Sequence, residues 1–106
     1  MIRGVGIDLL DISRIERPMK SRRFRERVFT VGELEYLSAR GAESAAGLFC
    51  AKEAIAKAMG VSVMKILKTV EITHAGDGRP VVLTPENISI SITHTATTAA
   101  AVAVWF

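Results

Sequence analysis

Apolar positions alternate with small or polar ones over residues 3–10. Val5, Ile7 and Leu9 fall on one face, and Gly4, Gly6 and Asp8 on the other. A period of two marks a β-strand. Asp8 shares its face with two residues that lack side chains, which leaves room for a ligand or for another backbone. Asp11 is placed to cap a short helix over 13–17, which Pro18 then disturbs, and a basic helical stretch resumes as far as Val28. Thr30, Val31, Gly32 and Glu33 form a capping-box sequence, predicting a helix to about Ser38, with Gly41 ending the segment. The clearest helical period runs over 44–59, where Leu48, Ala51, Ile55, Ala58 and Met59 make an apolar stripe and Gly60 is a natural C-terminal cap.

Beyond residue 69 the period returns to two. A strand over 70–73, a turn over 75–80 and a strand over 81–83 read as a hairpin. Ile88, Ile90 and Ile92 alternate with Ser89, Ser91 and Thr93 in a further strand. A turn over 95–98 leads into a last strand over 99–105. There is no repeat and no interdomain linker. The order predicts one α+β domain over residues 1–106: an N-terminal strand, helices, then antiparallel strands.

Composition changes this picture in two ways. Cys50 is the only cysteine, so no internal disulfide or cysteine cluster can form. Together with the lack of a leader or an apolar run of about 20 residues, that predicts a cytoplasmic protein. The net charge of +3 is unevenly spread: seven of the 14 Lys and Arg residues lie between Arg14 and Arg27, opposed only by Glu16 and Glu26. Such a run is either a solvated helix face or a docking surface for an acidic protein or nucleic acid. Its single aromatic, Phe24, supplies a poor stacking platform for bases.

Three distant segments could carry chemistry. Asp8 on its glycine-lined face is by itself a common turn or cap residue. Glu53 and Lys57, at i and i+4, read most simply as an exposed ion pair worth about 0.3–0.5 kcal/mol, almost opposite the apolar stripe. His94, between Thr93 and Thr95 at a strand end, is either a satisfied histidine or part of a phosphate cradle. His74 reads as a surface or turn residue. Asp8 and Glu53 together could supply two oxygen ligands to Mg²⁺.

The combination resembles the holo-acyl-carrier-protein synthase family, the small bacterial type of 4′-phosphopantetheinyl transferase. The landmarks run nearly end to end: Gly6-Ile7-Asp8 with Ile12-Ser13-Arg14-Ile15-Glu16; Arg27-Val28-Phe29-Thr30 with Glu33; Phe49-Cys50-Ala51-Lys52-Glu53-Ala54 with Lys57 and Gly60; Gly78-Arg79-Pro80; and Ser91-Ile92-Thr93-His94-Thr95. The resemblance implies Mg²⁺-dependent transfer of 4′-phosphopantetheine from coenzyme A to a serine of apo acyl carrier protein, releasing adenosine 3′,5′-bisphosphate. It also implies a homotrimer with coenzyme A at each subunit interface. Asp8, Glu53 and Lys57 become the catalytic set, with Asp8 and Glu53 on the metal and Lys57 on a phosphate. Gly78 and Pro80 become part of the adenine-side wall, and His94 and Thr95 nucleotide-phosphate contacts. Arg14, Arg22, Arg23 and Arg25 become the carrier-protein face. The chain departs from the family pattern at Leu48, where Arg is common, in the absence of a glycine-rich turn over 61–68, and in a shortened 39–47 segment. Two other readings remain: a catalytically weakened relative that binds coenzyme A or carrier protein, and a small basic nucleic-acid-binding domain.

Overall fold

The computed structural model describes residues 1–106. Its organising element is α4 (Ala42–Met59), a helix of 18 residues closed by Gly60 in the left-handed region at φ 69°. Alanine dominates the helix, which favours it intrinsically. The apolar stripe expected from the sequence is too narrow. Burial runs almost around the helix and includes Ala45, Ala46, Gly47, Cys50, Lys52, Ala54 and Ala56 as well as Leu48 and Ile55. The cause is tertiary: a sheet covers one side, and short helices with a hairpin cover the others.

The sheet has the order β1 (Gly4–Asp11), β5 (Thr98–Trp105), β4 (Ile88–His94), antiparallel throughout. Asp8 stands opposite Ala101 on β5. The predicted alternation of β1 holds, and its small-residue face is the inner one. Gly6 is buried, while Val5, Ile7 and Leu9 remain 60%, 68% and 71% exposed. The room beside Gly4 and Gly6 is taken by backbone. A Cβ on Gly6 would overlap the carbonyl oxygen of Ala54, and one on Gly4 that of Ala58. On β5, Ala99, Ala101 and Ala103 make the matching buried row. Helix α4 and these two strands therefore meet through residues with little or no side chain, which lets the backbones approach closely, while β4 packs Ile88, Ile90 and Ile92 toward the core.

The remaining elements wrap the other side of α4. They are α1 (Ser13–Glu16), a 3₁₀ turn (Pro18–Lys20), α2 (Arg22–Val28) and α3 (Val31–Leu37), then a second 3₁₀ turn (Val63–Lys65) and the hairpin β2 (Glu71–His74) with β3 (Pro80–Thr84). Asp11 does not cap α1. It belongs to β1, and α1 starts after Ile12 with no side-chain cap. The capping box at Thr30 and Glu33 forms as expected.

Gly6→Ala tests the close approach. Overpacking of this kind costs about 1–3 kcal/mol, so the urea midpoint is expected to fall clearly relative to the unsubstituted chain. An unchanged midpoint would mean that the helix can back away at no cost.

Candidate active site

The sequence candidates separate into three places along α4. The first lies beside β1. Alternation puts Asp8 on the helix side of the strand, and α4 brings Glu53 and Lys57 to it from one face. Lys57 does not pair with Glu53, as the i, i+4 spacing suggested. Its Nζ donates to Asp8 Oδ1 at 3.2 Å and to the Ile7 carbonyl at 3.0 Å. Nor do the two residues lie opposite the core. Glu53 is half-buried on the shoulder of the helix, and Lys57 reaches back over the strand. The Lys57 side chain is 56% exposed, so this ion pair is worth at most about 1 kcal/mol. An incoming anion can therefore recruit the ammonium at little cost. Burial, and then the charge of Asp8, push the Glu53 carboxyl above its ordinary range, with Lys57 opposing. Two carboxylates thus repel each other beside a single exposed cation, a donor set that a hard cation would relieve.

Beneath Asp8 lies a group that the sequence pattern does not single out. The Cys50 thiol is fully buried, 3.4 Å from Asp8 Oδ2 and 3.7 Å from the Ala99 carbonyl. Burial, and then the Asp8 carboxylate, push its pKa up to about 12.

The second place is a cleft of about 250 Å³ at the N-terminal half of α4. Gly78, Pro80 and His94 line it together with Arg40, His74 and Leu48. His94 Nδ1 lies 3.0 Å from the Thr95 carbonyl, which can only accept, so Nδ1 is the donor there. The Thr95 side chain is adjacent but engaged elsewhere. Its hydroxyl accepts from the amides of Thr97 and Thr98 and organises the β4–β5 turn. His74, read from the sequence as a plain surface or turn residue, belongs to this cleft. Its ring stacks on Tyr36 with centroids 3.8 Å apart, and the Arg40 guanidinium lies 4.3 Å from the Tyr36 ring centroid. Burial, and then Arg40, hold the His74 imidazole below its ordinary range. No local signal marks this cluster, because its members come from α3, the loop after it and β2. The acidic pair is not part of the cleft. From Leu48 to Lys57 the helix climbs about 13 Å.

The third place is the basic surface. Arg14, Arg22 and Arg23 are exposed. Arg22 donates to Glu26 at 2.9 Å in an exposed i, i+4 pair. Arg25 is half-buried and donates to the Met19 carbonyl at 2.6 Å, tying the 3₁₀ turn to α2. A groove of about 390 Å³ has an apolar floor that includes Met19 and Leu37, and a rim of Lys20, Arg25 and Arg40 with Glu16 among them.

Comparison with known proteins identifies the family. Residues 4–104 match a family model described as the 4′-phosphopantetheinyl transferase superfamily. A protein of Listeria monocytogenes named holo-[acyl-carrier-protein] synthase is 46% identical, with 95% of each chain covered. The chain belongs to the holo-acyl-carrier-protein synthase family. A synthase of Fusobacterium nucleatum is 37% identical over 98% of both chains. Among solved structures, the Bacillus anthracis synthase in complex with CoA (3′,5′-ADP) superposes with a TM-score of 0.90 at 32% identity, covering 99% of this chain and 96% of that one. The Helicobacter pylori synthase in complex with coenzyme A gives 0.86 at 30%, covering 96% and 99%. The α+β fold expected from the sequence is therefore the synthase fold, and the chain is an enzyme of that class.

The Cys50 environment makes a chemical prediction. The single thiol is expected to release no thionitrobenzoate from Ellman's reagent at pH 8 in the native enzyme, and one equivalent after guanidinium unfolding. Fast native release would mean that the thiol is neither buried nor held by Asp8.

Proposed function

We propose that this synthase transfers 4′-phosphopantetheine from coenzyme A to a serine of apo acyl carrier protein in the cytoplasm. Adenosine 3′,5′-bisphosphate leaves. The observation that carries this reading is the meeting of Asp8, Glu53 and Lys57, drawn from β1 and the far half of α4, in one acidic site with one exposed ammonium. Relatives solved with coenzyme A support the donor.

Asp8 and Glu53 fit Mg²⁺. They are hard oxygen donors, and their mutual repulsion asks for a cation. No cluster of three or more His, Cys, Asp or Glu side chains is placed around a common point, so the remaining positions fall to water and substrate oxygens, as suits Mg²⁺. When bound, Mg²⁺ supplies charge neutralisation at the pyrophosphate. Lys57 exchanges its weak pairing with Asp8 for a phosphate oxygen and acts there as a point charge. Holding both substrates in line contributes the rest, since phosphoryl transfer needs alignment more than covalent help.

The cleft at His94 suits the nucleotide end of the donor. Gly78 and Pro80 wall it without bulk, and Arg40 offers donors to phosphate. His94, whose Nδ1 is engaged by the Thr95 carbonyl, adds a donor at Nε2 only as the imidazolium, with Thr95 shaping the turn beside it. Leu48 is buried and apolar, but Arg40 brings a guanidinium to the same cleft, which favours an active enzyme over a weakened one. The basic groove, with Arg25 in its rim, suits an acidic helix of the carrier protein, and the exposed Arg14, Arg22 and Arg23 add positive charge from the same segment. Nucleic acid is disfavoured, because the one aromatic of the basic run, Phe24, is partly buried against the core and makes a poor stacking platform.

A homotrimer is part of the proposal. The outer face of the sheet carries Val5, Ile7 and Leu9 in the open, and the acidic site and the cleft sit at separate ends of α4. Each is completed if one subunit's acidic site meets its neighbour's cleft.

Incubation with coenzyme A, Mg²⁺ and apo carrier protein is expected to add one phosphopantetheine mass to the carrier. Asp8→Asn and Glu53→Gln should each lower turnover about 100-fold or more, the scale of losing one charge-stabilising group, with the melting curve retained. Charge reversal at Arg14 and Arg22 together should raise KM for the carrier and spare that for coenzyme A. Near-normal turnover in both carboxylate variants would sink the metal assignment.

Dilution tests the assembly. Sedimentation velocity is expected to show a trimer, with specific activity lost as it dissociates. A fully active monomer would place the whole site within one chain.

A further inference from the structure

One buried ionic group lies outside the three places described. Lys52 and Glu33 both have fully buried side chains, with Nζ and Oε1 2.6 Å apart. The Lys52 ammonium also donates to the carbonyls of Val28 at 3.1 Å and Leu67 at 2.5 Å. Its three hydrogens therefore reach the end of α2, the body of α3 and the loop before β2. The Glu33 carboxylate is equally occupied. Oε1 accepts from the Thr30 amide at 2.9 Å as well, and Oε2 accepts from the Ile72 amide at 2.8 Å. No buried side-chain polar atom in the protein lacks a partner.

Taking two charges out of water is costly, and a buried pair is often no more stable than an apolar replacement of the same shape. What such a pair supplies best is register. α4 gains from it, because the helix meets β1 and β5 through Gly4, Gly6, Ala99, Ala101 and Ala103, and only β4 offers larger side chains, Ile88, Ile90 and Ile92, from the sheet. Small residues set the distance between helix and sheet. They offer few knobs to oppose rotation or sliding. Lys52 is the residue before Glu53, and Lys57 lies further along the same rigid helix. A rotation of α4 by about 20° would carry the Glu53 carboxylate, at the helix periphery, through about 2 Å. That exceeds the roughly 0.5 Å tolerance of a working constellation.

We propose that the Lys52–Glu33 node is a positioning device. It locks the rotation and height of α4 so that Glu53 and Lys57 meet Asp8. This inference rests on the metal and transfer reading above.

Two variants separate geometry from mere stability. Glu33→Gln keeps the reach of the side chain and an oxygen acceptor for Lys52. The double variant Glu33→Gln/Lys52→Met removes both charges and the three directional bonds of Lys52, with little change of volume. Mn²⁺ binding in the presence of coenzyme A, read by electron paramagnetic resonance, reports the site without turnover. Glu33→Gln is expected to bind Mn²⁺ within about threefold of the unsubstituted enzyme even if it melts earlier. The double variant is expected to lose about tenfold or more in both Mn²⁺ affinity and kcat, the scale of losing an outer-shell partner, with KM for the carrier protein unchanged. If the double variant does not melt cooperatively, Glu33→Asp replaces it. That variant keeps the charge and shortens the reach, so it should weaken Mn²⁺ binding where Glu33→Gln does not. A folded double variant, or Glu33→Asp, with unaltered Mn²⁺ affinity and kcat overturns the positioning role. So does equal loss in Glu33→Gln. If the unsubstituted enzyme neither binds Mn²⁺ nor modifies the carrier, the functional reading itself fails and takes this inference with it.

Discussion

The close approach of α4 to the sheet is the constraint on which the rest depends. Gly4 and Gly6 on β1 and the alanines of β5 leave the helix backbone nowhere else to lie. Because the two elements nearly touch, Asp8 reaches the flank of the helix with a short side chain. Lys57 can bond both its carboxylate and the Ile7 carbonyl, and Cys50 fits beneath it. A bulkier interface would hold the same residues several ångströms apart and leave two unrelated surface carboxylates. The acidic site is thus a product of what the strand lacks.

α4 then works as a ruler. Its N-terminal half borders the nucleotide-sized cleft, its C-terminal half carries Glu53 and Lys57, and the basic groove flanks its first turn. Different forces hold each station. The cleft wall is a cluster of Arg40, Tyr36 and His74 rings and guanidinium. The acidic site is balanced by weak, exposed pairing that a substrate can replace. The far side is tied by hydrogen bonds to a buried ammonium, where geometry matters more than energy.

Legibility in the sequence follows the range of the interactions. The capping box at Thr30 and Glu33, the Gly60 cap and the hairpin turn around Gly78 are readable because each is decided within a few residues. The resemblance draws together Asp8, Glu53, Lys57 and His94, which spacing alone leaves as an ion pair, a cap residue and a strand-end histidine. What escapes is long-range. His74 gains its setting only from Tyr36, on a different element. Asp11 reads as a cap because it precedes a helix, but strand pairing with Thr98 claims it first. Lys52 does leave a trace. It lies four residues after Leu48 and three before Ile55, within the apolar arc of α4, and a lysine there calls for a buried partner.

The pairing of β1 with β5 also sets an order of events during synthesis. The strand Gly4–Asp11 is made before every other element, and its hydrogen-bonding neighbour, Thr98–Trp105, is made after all of them. Until then a row of aliphatic side chains and an unpaired backbone travel with the nascent chain, and such edges invite pairing with other chains. Helix α4 can form in that interval, since its contacts with itself are local. The sheet cannot. Loss of Thr98–Trp105 would remove the only strand that holds β1 in place, so the fold closes on its final strand rather than growing toward it.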